Sequence, residues 1–450
     1  MSNPAEIEAA RKDELVIKIA SGDLDGADRL LEELHPADIA EVIEALEGLD
    51  EKLRLFALLD AERSSEVIRE LGEDSRTALL ENLGDGRVSA IIEHLDTDDA
   101  TDLLAKLSEE RQVKLLRRTS PETRRDVEGL LAYPEDSAGG IMKTEVAAVP
   151  ADATVAEVTE YLRKNAEQFH DIHNVFVTDD KGTLVGLVPL RRLILASDFT
   201  PVSRIMETDV VSVRADVDQE EVAHLFEKYD LVSLPVVDSL GCLVGRITID
   251  DVVDVIEEEA TEDILRLAGV AGESVAVTNS AEGIRSRLPW LALNLLTAAA
   301  GAFTISLFER TIQAMAVAAA LMTIVASQGG AAGVQTMTLI VRGLALGEVR
   351  TAQVLRILGK QLLVAAANGS ALGLVSGAAV YLWRHDPRLS VIFGVALLAN
   401  HIIAVTIGTL VPLGLKLLRV DPAVSSNVFV TASTDLLGFF IFLALLSSFV

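Results

Sequence analysis

The side chains in this sequence best suited to chemistry are carboxylates, and they fall into three groups. Asp96, Asp98, Asp99 and Asp102 form the first. The second is a run of eight, Asp250, Asp251, Asp254, Glu257, Glu258, Glu259, Glu262 and Asp263, with no Lys or Arg among them. As a helix, this run sets like charges at i,i+3 and i,i+4, and each such pair costs a few tenths of a kcal/mol. It reads either as a solvated acidic face or as a surface completed by divalent cations, because hard cations prefer carboxylate oxygens. Neither group has the regular spacing of an EF-hand loop. The third group is one residue. Asp435 sits eight residues into an otherwise apolar C-terminal stretch, where a carboxylate costs roughly 3 kcal/mol or more and is a functional-site candidate by default. Asn427, Thr431 and Asp435 are spaced four apart and so share one helix face. That stripe calls for water, a cation or a partner helix, and no Lys or Arg lies within the spans to pair with Asp435.

Charge divides the elements that must hold these groups. Residues 287–450 contain 10 Lys+Arg and 5 Asp+Glu, leaving 29 and 63 for residues 1–286. The front part therefore carries about −34 and the rear about +5, which places a domain boundary near Ser286. A front part this acidic repels nucleic acid and the anionic cytoplasmic leaflet, and cations are its natural partners. Cys242 is the only cysteine, so an intrachain disulfide and a multi-cysteine zinc site are excluded. The N-terminus is polar and lacks an apolar signal core.

Five apolar stretches are long enough to span a bilayer: Leu288–Phe308, Ile312–Ile340, Gln361–Trp383, Leu389–Leu415 and Val428–Val450. The loop Glu309-Arg310-Thr311 makes the first two an antiparallel hairpin. Arg342, Arg350, Arg356, Lys360, Lys416 and Arg419 fall on one side, and Arg310, Arg384 and Arg388 on the other. The basic excess places the front part in the cytoplasm and the C-terminus outside. The segment from Gln328 to Gln335 holds three glycines. It reads as close helix packing through small residues or as a break whose carbonyls face a cavity.

Residues 137–262 repeat internally. Ile141-Met142-Lys143-Thr144 opens one unit and Ile205-Met206-Glu207-Thr208 the next. Each continues with a short strand (Val146–Val149, Val210–Val213), an amphipathic helix (Thr154–Lys164, Gln219–Tyr229) and two strands about a turn, with Leu184-Val185-Gly186 matching Leu243-Val244-Gly245. The pair resembles a tandem of cystathionine-β-synthase-type (CBS) domains. The resemblance implies possible adenosine-nucleotide binding, with Thr248 and Asp251 in the Thr-x-x-Asp pattern that can hold ribose; the first unit has Pro189 and Arg192 there. Residues 1–135 read as helices throughout, with starts at Pro36, Asp60, Thr97 and Ser120-Pro121. The spacing of Ile39, Val42, Ile43 and Leu46 suggests a superhelix of stacked helices.

The whole order of parts resembles the MgtE family of magnesium channels and transporters. Tyr133-Pro134-Glu135-Asp136-Ser137-Ala138-Gly139-Gly140-Ile141-Met142 is similar to its junction motif, Glu258-Glu259-Ala260-Thr261-Glu262-Asp263 to its connecting-helix motif, and Asp421-Pro422-Ala423 with Asn427 and Asp435 to its last-span signature. The resemblance implies a multidomain membrane protein with five parts. These are an all-α superhelical N-domain (1–135), α+β CBS units (136–199 and 200–257), a connecting plug helix (258–286) and a five-helix transmembrane bundle (287–450). It implies a homodimer in the cell (inner) membrane, with Mg²⁺ as substrate and regulator and ATP as a ligand of the CBS module. It also implies a pore lined by Asn427, Thr431, Gly329 and Gly330, with Asp435 as the pore carboxylate. The metal ligands expected are Asp435, Asp98, Asp99, Asp102, Asp250, Asp251, Asp254, Glu258, Glu259, Glu262, Asp263 and Asp421. Ala331 departs from the family, which has Asn there, and this bears on pore hydration, selectivity or packing. Alternatives are a broader channel for Mn²⁺, Co²⁺ or Ni²⁺, or a non-conducting membrane-anchored sensor of Mg²⁺ or nucleotide. An enzyme is not expected, since no Gly-x-x-x-x-Gly-Lys-Ser/Thr, His-Glu-x-x-His or Gly-x-Ser-x-Gly motif is present.

Overall fold

Amphipathic stretches build the first part of the chain as ten helices, the first of 18 residues and the rest of eight to ten. They are α1 (Pro4–Ser21), α2 (Leu24–Leu31), α3 (Pro36–Ala45), α4 (Leu49–Leu58), α5 (Ala61–Glu70), α6 (Glu73–Asn82), α7 (Asp85–Ile92), α8 (Thr97–Ala105), α9 (Glu109–Leu116) and α10 (Pro121–Leu130). The computed structural model describes residues 4–166, 169, 172–268, 270, 280–345, 348–349, 353–418, 420–422 and 426–448. Arg350, Arg419, Ala423 and residues 271–279 of the connecting segment, on which expectations above rest, lie outside the described residues. The chain divides into two compact units, Met1–Glu257 and Glu258–Val450.

In the first unit the helix starts fall where capping chemistry puts them. Asp60 accepts from Arg63 N, and Ser120 accepts from Thr123 N with Pro121 at the first helical position. Ile39, Val42, Ile43 and Leu46 are buried in one continuous core with Phe56, Leu79 and Ile91. A second regularity, not recognised above, holds the stack. Arg63 donates to Leu34 O, Arg87 to Leu59 O and Arg111 to Leu83 O. The three arginines are 24 residues apart, and Arg87 and Arg111 each follow Leu83 or Leu107 by four. Each guanidinium thus ties a helix start to carbonyls left over at the end of an earlier helix.

The repeat forms two matching sheets. β1 (Ala148–Pro150) runs parallel to β2 (Asn174–Thr178), which is antiparallel to β3 (Leu184–Pro189). β4 (Val213–Arg214), β5 (Ser233–Val237) and β6 (Leu243–Thr248) repeat this order. α11 (Val155–Lys164), capped by a Thr154/Glu157 box, and α13 (Gln219–Tyr229) are the matching helices, and α12 (Leu190–Leu195) follows β3. Both hairpins turn the same way. Asp179 accepts from Lys181 N and Thr183 N, while Asp238 accepts from Leu240 N and Cys242 N. Gly182 and Gly241 take φ near +80°.

The two units exchange their leading segments. Lys143 pairs with Arg246 on β6 of the second unit, and Glu207 pairs with Leu187 on β3 of the first. Met142 thereby lies over Gly245 and Met206 over Gly186. A Cβ at Gly245 would stand 2.6 Å from Met142 Sδ and 2.9 Å from Lys143 O, and one at Gly186 would meet Met206 Sδ and Glu207 O, each at 2.9 Å. The repeated methionines and glycines are thus the two halves of one reciprocal contact.

α14 (Ile249–Leu267) follows β6, and the division between the compact units falls inside it. The connecting segment 258–286 is therefore not one helix. Its front belongs to α14, and its rear, from Ser280, belongs to α15 (Ser280–Ser306), which continues as the first span. The short α16 (Glu309–Ala314) precedes α17 (Val317–Ala345), so the expected three-residue hairpin loop is replaced by a longer connection. α18 (Val354–Arg384), α19 (Pro387–Leu417) and α20 (Ser426–Ser447) complete, among the described residues, five helices long and apolar enough to cross a membrane. α15 packs on α20, and α17 packs on α19 and α20.

α17 is helical throughout, so the Gln328–Gln335 segment is not a break. Its glycines serve close packing instead. A Cβ at Gly329 would stand 2.0 Å from Asn400 Nδ2 on α19, and one at Gly333 would stand 2.8 Å from Val430 on α20. Asn400 is wholly buried and donates to Val325 O at 2.7 Å, so a side-chain amide enters this layer from α19.

Gly245→Ala must push Met142 or the Lys143 backbone aside and is expected to cost about 1–3 kcal/mol. Gly129→Ala, on an exposed helical site with open space around it, is expected to raise stability by about 0.5–1 kcal/mol. Thermal unfolding of the two variants beside wild type checks both.

Candidate functional site

Two sites emerge, one in each compact unit. In the first, the start of α8 and the start of α14 converge on one ammonium. Lys143 Nζ lies 3.0 Å from Asp251 Oδ1, 3.4 Å from Asp96 Oδ2 and 3.4 Å from Asp250 Oδ2. Its side chain is only 5% exposed. Asp96 is the N-cap residue of α8, and Asp98 and Asp99 fill its first turn, where the helix dipole favours negative charge. Oxygens of Asp96, Asp98 and Asp99 lie within 4.8 Å of one another. Asp98 is 6% exposed and its Oδ1 has no hydrogen-bond partner among the described residues. Thr97 leaves the cluster sideways, bonding to Glu145 and lying 2.7 Å from Thr144 Oγ1.

Electrostatics follow from burial. Desolvation, with Asp99 and Asp251 nearby, holds the Asp98 carboxyl well above the usual range. Burial pushes Asp99 up to about 7, with Arg69 and Lys143 opposing. Burial raises Asp251 as well, against the pull of Lys143. Lys143 is held charged, because Asp98, Asp251, Asp96 and Asp250 outweigh its own desolvation. The Lys143 ammonium and the Arg69 guanidinium against five carboxylates leave the cluster short of positive charge. The donors are all hard carboxylate oxygens and one is orphaned, which fits a divalent cation.

The sequence expectations distribute unevenly over this geometry. Asp98, Asp99, Asp250 and Asp251 come together, and burial and the Asp251 and Glu70 charges raise Asp254 close by. Asp102, one turn on, instead lines a cavity with Gln112, Tyr133 and Gly140. Thr248 and Asp251 are adjacent as the ribose pattern requires, with Thr248 Oγ1 donating to Asp251 Oδ2 at 2.6 Å. Asp251 is also bound to Lys143. Lys143 was missed as a site residue, and Asp96, though grouped with Asp98, Asp99 and Asp102, was not among the expected metal ligands. The signal for Lys143 was its reversal to Glu207 at the matching repeat position.

The second site lies where α14 ends. Leu267 packs with Met337, Val341 and Val430, and its carbonyl accepts from Asn427 Nδ2 at 3.2 Å. Thr431 Oγ1 donates to Asn427 Oδ1 at 3.3 Å, so the polar stripe on α20 is joined to the end of α14. Asp421 was expected as a metal ligand. It lies 2.5 Å from Arg266, whose guanidinium reaches it from the last turn of α14. Arg266 also pairs with Glu262, and burial beside Asp421 raises Asp263. Glu258 and Glu259 precede this pair on α14.

Asp435 lies two turns beyond Asn427, half-buried on α20, and no charged group acts on it among the described residues. A Cβ at Gly330 would stand 3.9 Å from Thr434 Oγ1, while Gly329 is closed off by Asn400. Gln328, Ala331 and Gln335 form an exposed face of α17. Ala331 is thus not packed in the single chain.

Because Asp99 holds its proton up to about pH 7 in the folded chain, the folded state binds more protons than the unfolded one between about pH 4 and 7. This contribution to stability falls as pH rises through that window. In a chelating buffer, Asp99→Asn is expected to gain on wild type between pH 5 and 7.5 by about 3 °C or more in Tm. A gap that stays constant with pH would contradict the assignment.

The comparisons with known proteins agree with this arrangement. Residues 34–136 match the model for the MgtE intracellular N domain, residues 138–198 and 202–258 match CBS domains, and residues 322–445 match the MgtE divalent cation transporter model. The chain is 36% identical to the magnesium transporter MgtE of Thermus thermophilus, over 95% of each chain. It is 29% identical to the Bacillus subtilis magnesium transporter MgtE, over 97% of this chain and 98% of that one. Among solved structures, the cytosolic domain of the Mg²⁺ channel MgtE in complex with ATP superimposes with a TM-score of 0.52 at 38% identity, covering 54% of this chain and 99% of that one. With a relative this similar along nearly its whole length, the chain belongs to the MgtE family of divalent cation transporters.

Proposed function

We propose that this divalent cation transporter conducts Mg²⁺ passively into the cell. Two copies would pair so that their Asp435 carboxylates face a common pathway. The observation that carries this reading is Asp435 itself, a half-buried carboxylate inside a span with no charged partner among the described residues. Such a residue is retained for an ion that passes. Mg²⁺ sheds water reluctantly, so the pair would hold a largely hydrated ion, and Thr431 and Asn427 would touch its water. A divalent ion moving inward gains roughly 4.6 kcal/mol per 100 mV of membrane potential, so no other energy source is required. The relatives named as magnesium transporters support Mg²⁺ over the other divalent ions. The basic residues flanking the spans support a cytoplasmic front part.

The acidic cluster of the first unit is proposed as the internal sensor. A cation at Asp96, Asp98 and Asp99 would relieve a charge imbalance and so favour whichever state brings those groups together. A ligand shifts an equilibrium only by its differential affinity for the two states. Arg266, Asn427 and Leu267 join the end of α14 to the α20 stripe, giving that helix the means to obstruct the pathway. ATP at the CBS module is supported by the adjacent Thr248 and Asp251 and by the ATP complex of the related cytosolic domain.

Asp435→Ala is expected to abolish Mg²⁺ entry into liposomes while leaving the elution volume of the assembled protein unchanged. Unaltered flux would sink the pore assignment. Running the wild type with Mn²⁺, Co²⁺ and Ni²⁺ separates a narrow from a broad pathway, and no flux of any ion would favour a sensor.

For the sensor, millimolar Mg²⁺ is expected to slow proteolysis of the front part of the wild-type chain, and K⁺ at equal ionic strength to leave it unchanged. Protection that follows ionic strength alone would mean simple screening and remove the sensor assignment.

A further inference from the structure

The repeat places charges of opposite sign at matching positions. Lys143 follows Met142 as Glu207 follows Met206, and Asp251 stands where the first unit has Arg192. Two related ion pairs of reversed polarity result: Lys143 with Asp251 at 3.0 Å, and Glu207 with Arg192 at 2.6 Å. Their surroundings differ. Arg192 and Glu207 are 42% and 41% exposed and belong to a simple surface pair, which contributes little. Lys143 is enclosed and faces Asp96 and Asp250 as well.

Asp96 has two roles in this cluster. Its Oδ2 contacts the ammonium at 3.4 Å, and the same residue completes the carboxylate triplet with Asp98 and Asp99. Asp98, almost fully buried, keeps Oδ1 without a hydrogen-bond partner among the described residues. A carboxylate oxygen that far from water and without a donor is a ligand position for a cation.

We propose that Lys143 is a tethered cation that competes with a soluble divalent ion for Asp96, and so sets the ion concentration at which the Asp96–Asp98–Asp99 site fills. The proposal rests on the reading of this cluster as a divalent-cation site. A divalent ion held by the triplet comes close to a fixed ammonium that cannot diffuse away, and the repulsion between them weakens its binding. Lys143 also holds α8 and the start of α14 together before any ion arrives, so the site is assembled but of lowered affinity. That combination suits a sensor of an abundant ion, which must stay unfilled until the ion reaches high concentration.

The test uses the full-length chain in detergent, with Mn²⁺ as a paramagnetic probe and Mg²⁺ as competitor. The site is defined as the part of Mn²⁺ binding that Asp98→Asn removes. Lys143→Met is expected to tighten that binding by about tenfold or more, because a unit charge a few Å from a divalent ion in a partly buried site is a strong repulsion. Lys143→Arg is expected to stay within about twofold of wild type, and Arg192→Met, at the matching pair, to change nothing. Asp96→Asn is expected to weaken binding. Unchanged or weaker binding in Lys143→Met, with Tm near that of wild type, overturns the proposal, as does the absence of any Asp98-dependent Mn²⁺ binding. If Lys143→Met does not fold, the double variant Lys143→Met/Asp250→Asn removes one charge of each sign and carries the same expectation. Mg²⁺ flux in liposomes is read separately. Tightened Mn²⁺ binding without flux supports the role of Lys143 and removes the transport reading. Flux with Mn²⁺ binding indifferent to Lys143 removes the role of Lys143 and keeps transport.

Discussion

A carboxylate removed from water has to find positive charge, and this chain meets that constraint in two ways. In the first compact unit the acids of α8 and α14 gather around Lys143, with Arg69 acting on Asp99. The supply of positive charge falls short, and burial raises Asp98, Asp99 and Asp251 as a consequence. In the second unit Asp435 has no charged neighbour among the described residues. Where protein cations are too few, such acids hold their protons or take cations from solution, and a divalent ion brings the most charge per site.

Backbone economy supports both sites. The arginines spaced through α5, α7 and α9 close the stack by taking up orphan carbonyls from earlier helices. In the CBS pair, each unit lends its leading segment to the sheet of the other, and Met142 over Gly245 and Met206 over Gly186 fix the exchange. This exchange is what carries Lys143 beyond its own unit to the start of α14. In the spans, Gly329 and Gly333 let α17 approach α19 and α20 closely, and Gly373 and Gly394 do the same for α18 and α19.

Asn400 bears on the missing asparagine of the second span. Its amide is wholly buried against Gly329 and Gly438, on a different helix from Ala331. Ala331 itself lies on an exposed face with Gln328 and Gln335. The two positions therefore do not substitute for one another: Asn400 fills a packing gap, and Ala331 leaves an open face less polar.

Local chemistry determined much of this protein. Ser120-Pro121, Asp60 and Thr154 marked helix starts because capping needs only a few neighbouring residues. The five spans followed from length and hydropathy, and the repeat from matched turns and methionines. Asp435 stood out because an acid in an apolar run is costly there. The tertiary structure decided what depends on distant partners. Asp421 could not be read as the partner of Arg266, since 155 residues separate them. The packing of α15 on α20, the uninterrupted helix through Gln328–Gln335 and the burial of Asn400 depend on which faces meet. Above all, the meeting of Lys143 with Asp96 and Asp251 follows from an exchange between repeat units, and sequence spacing carries no record of which strand a segment will join.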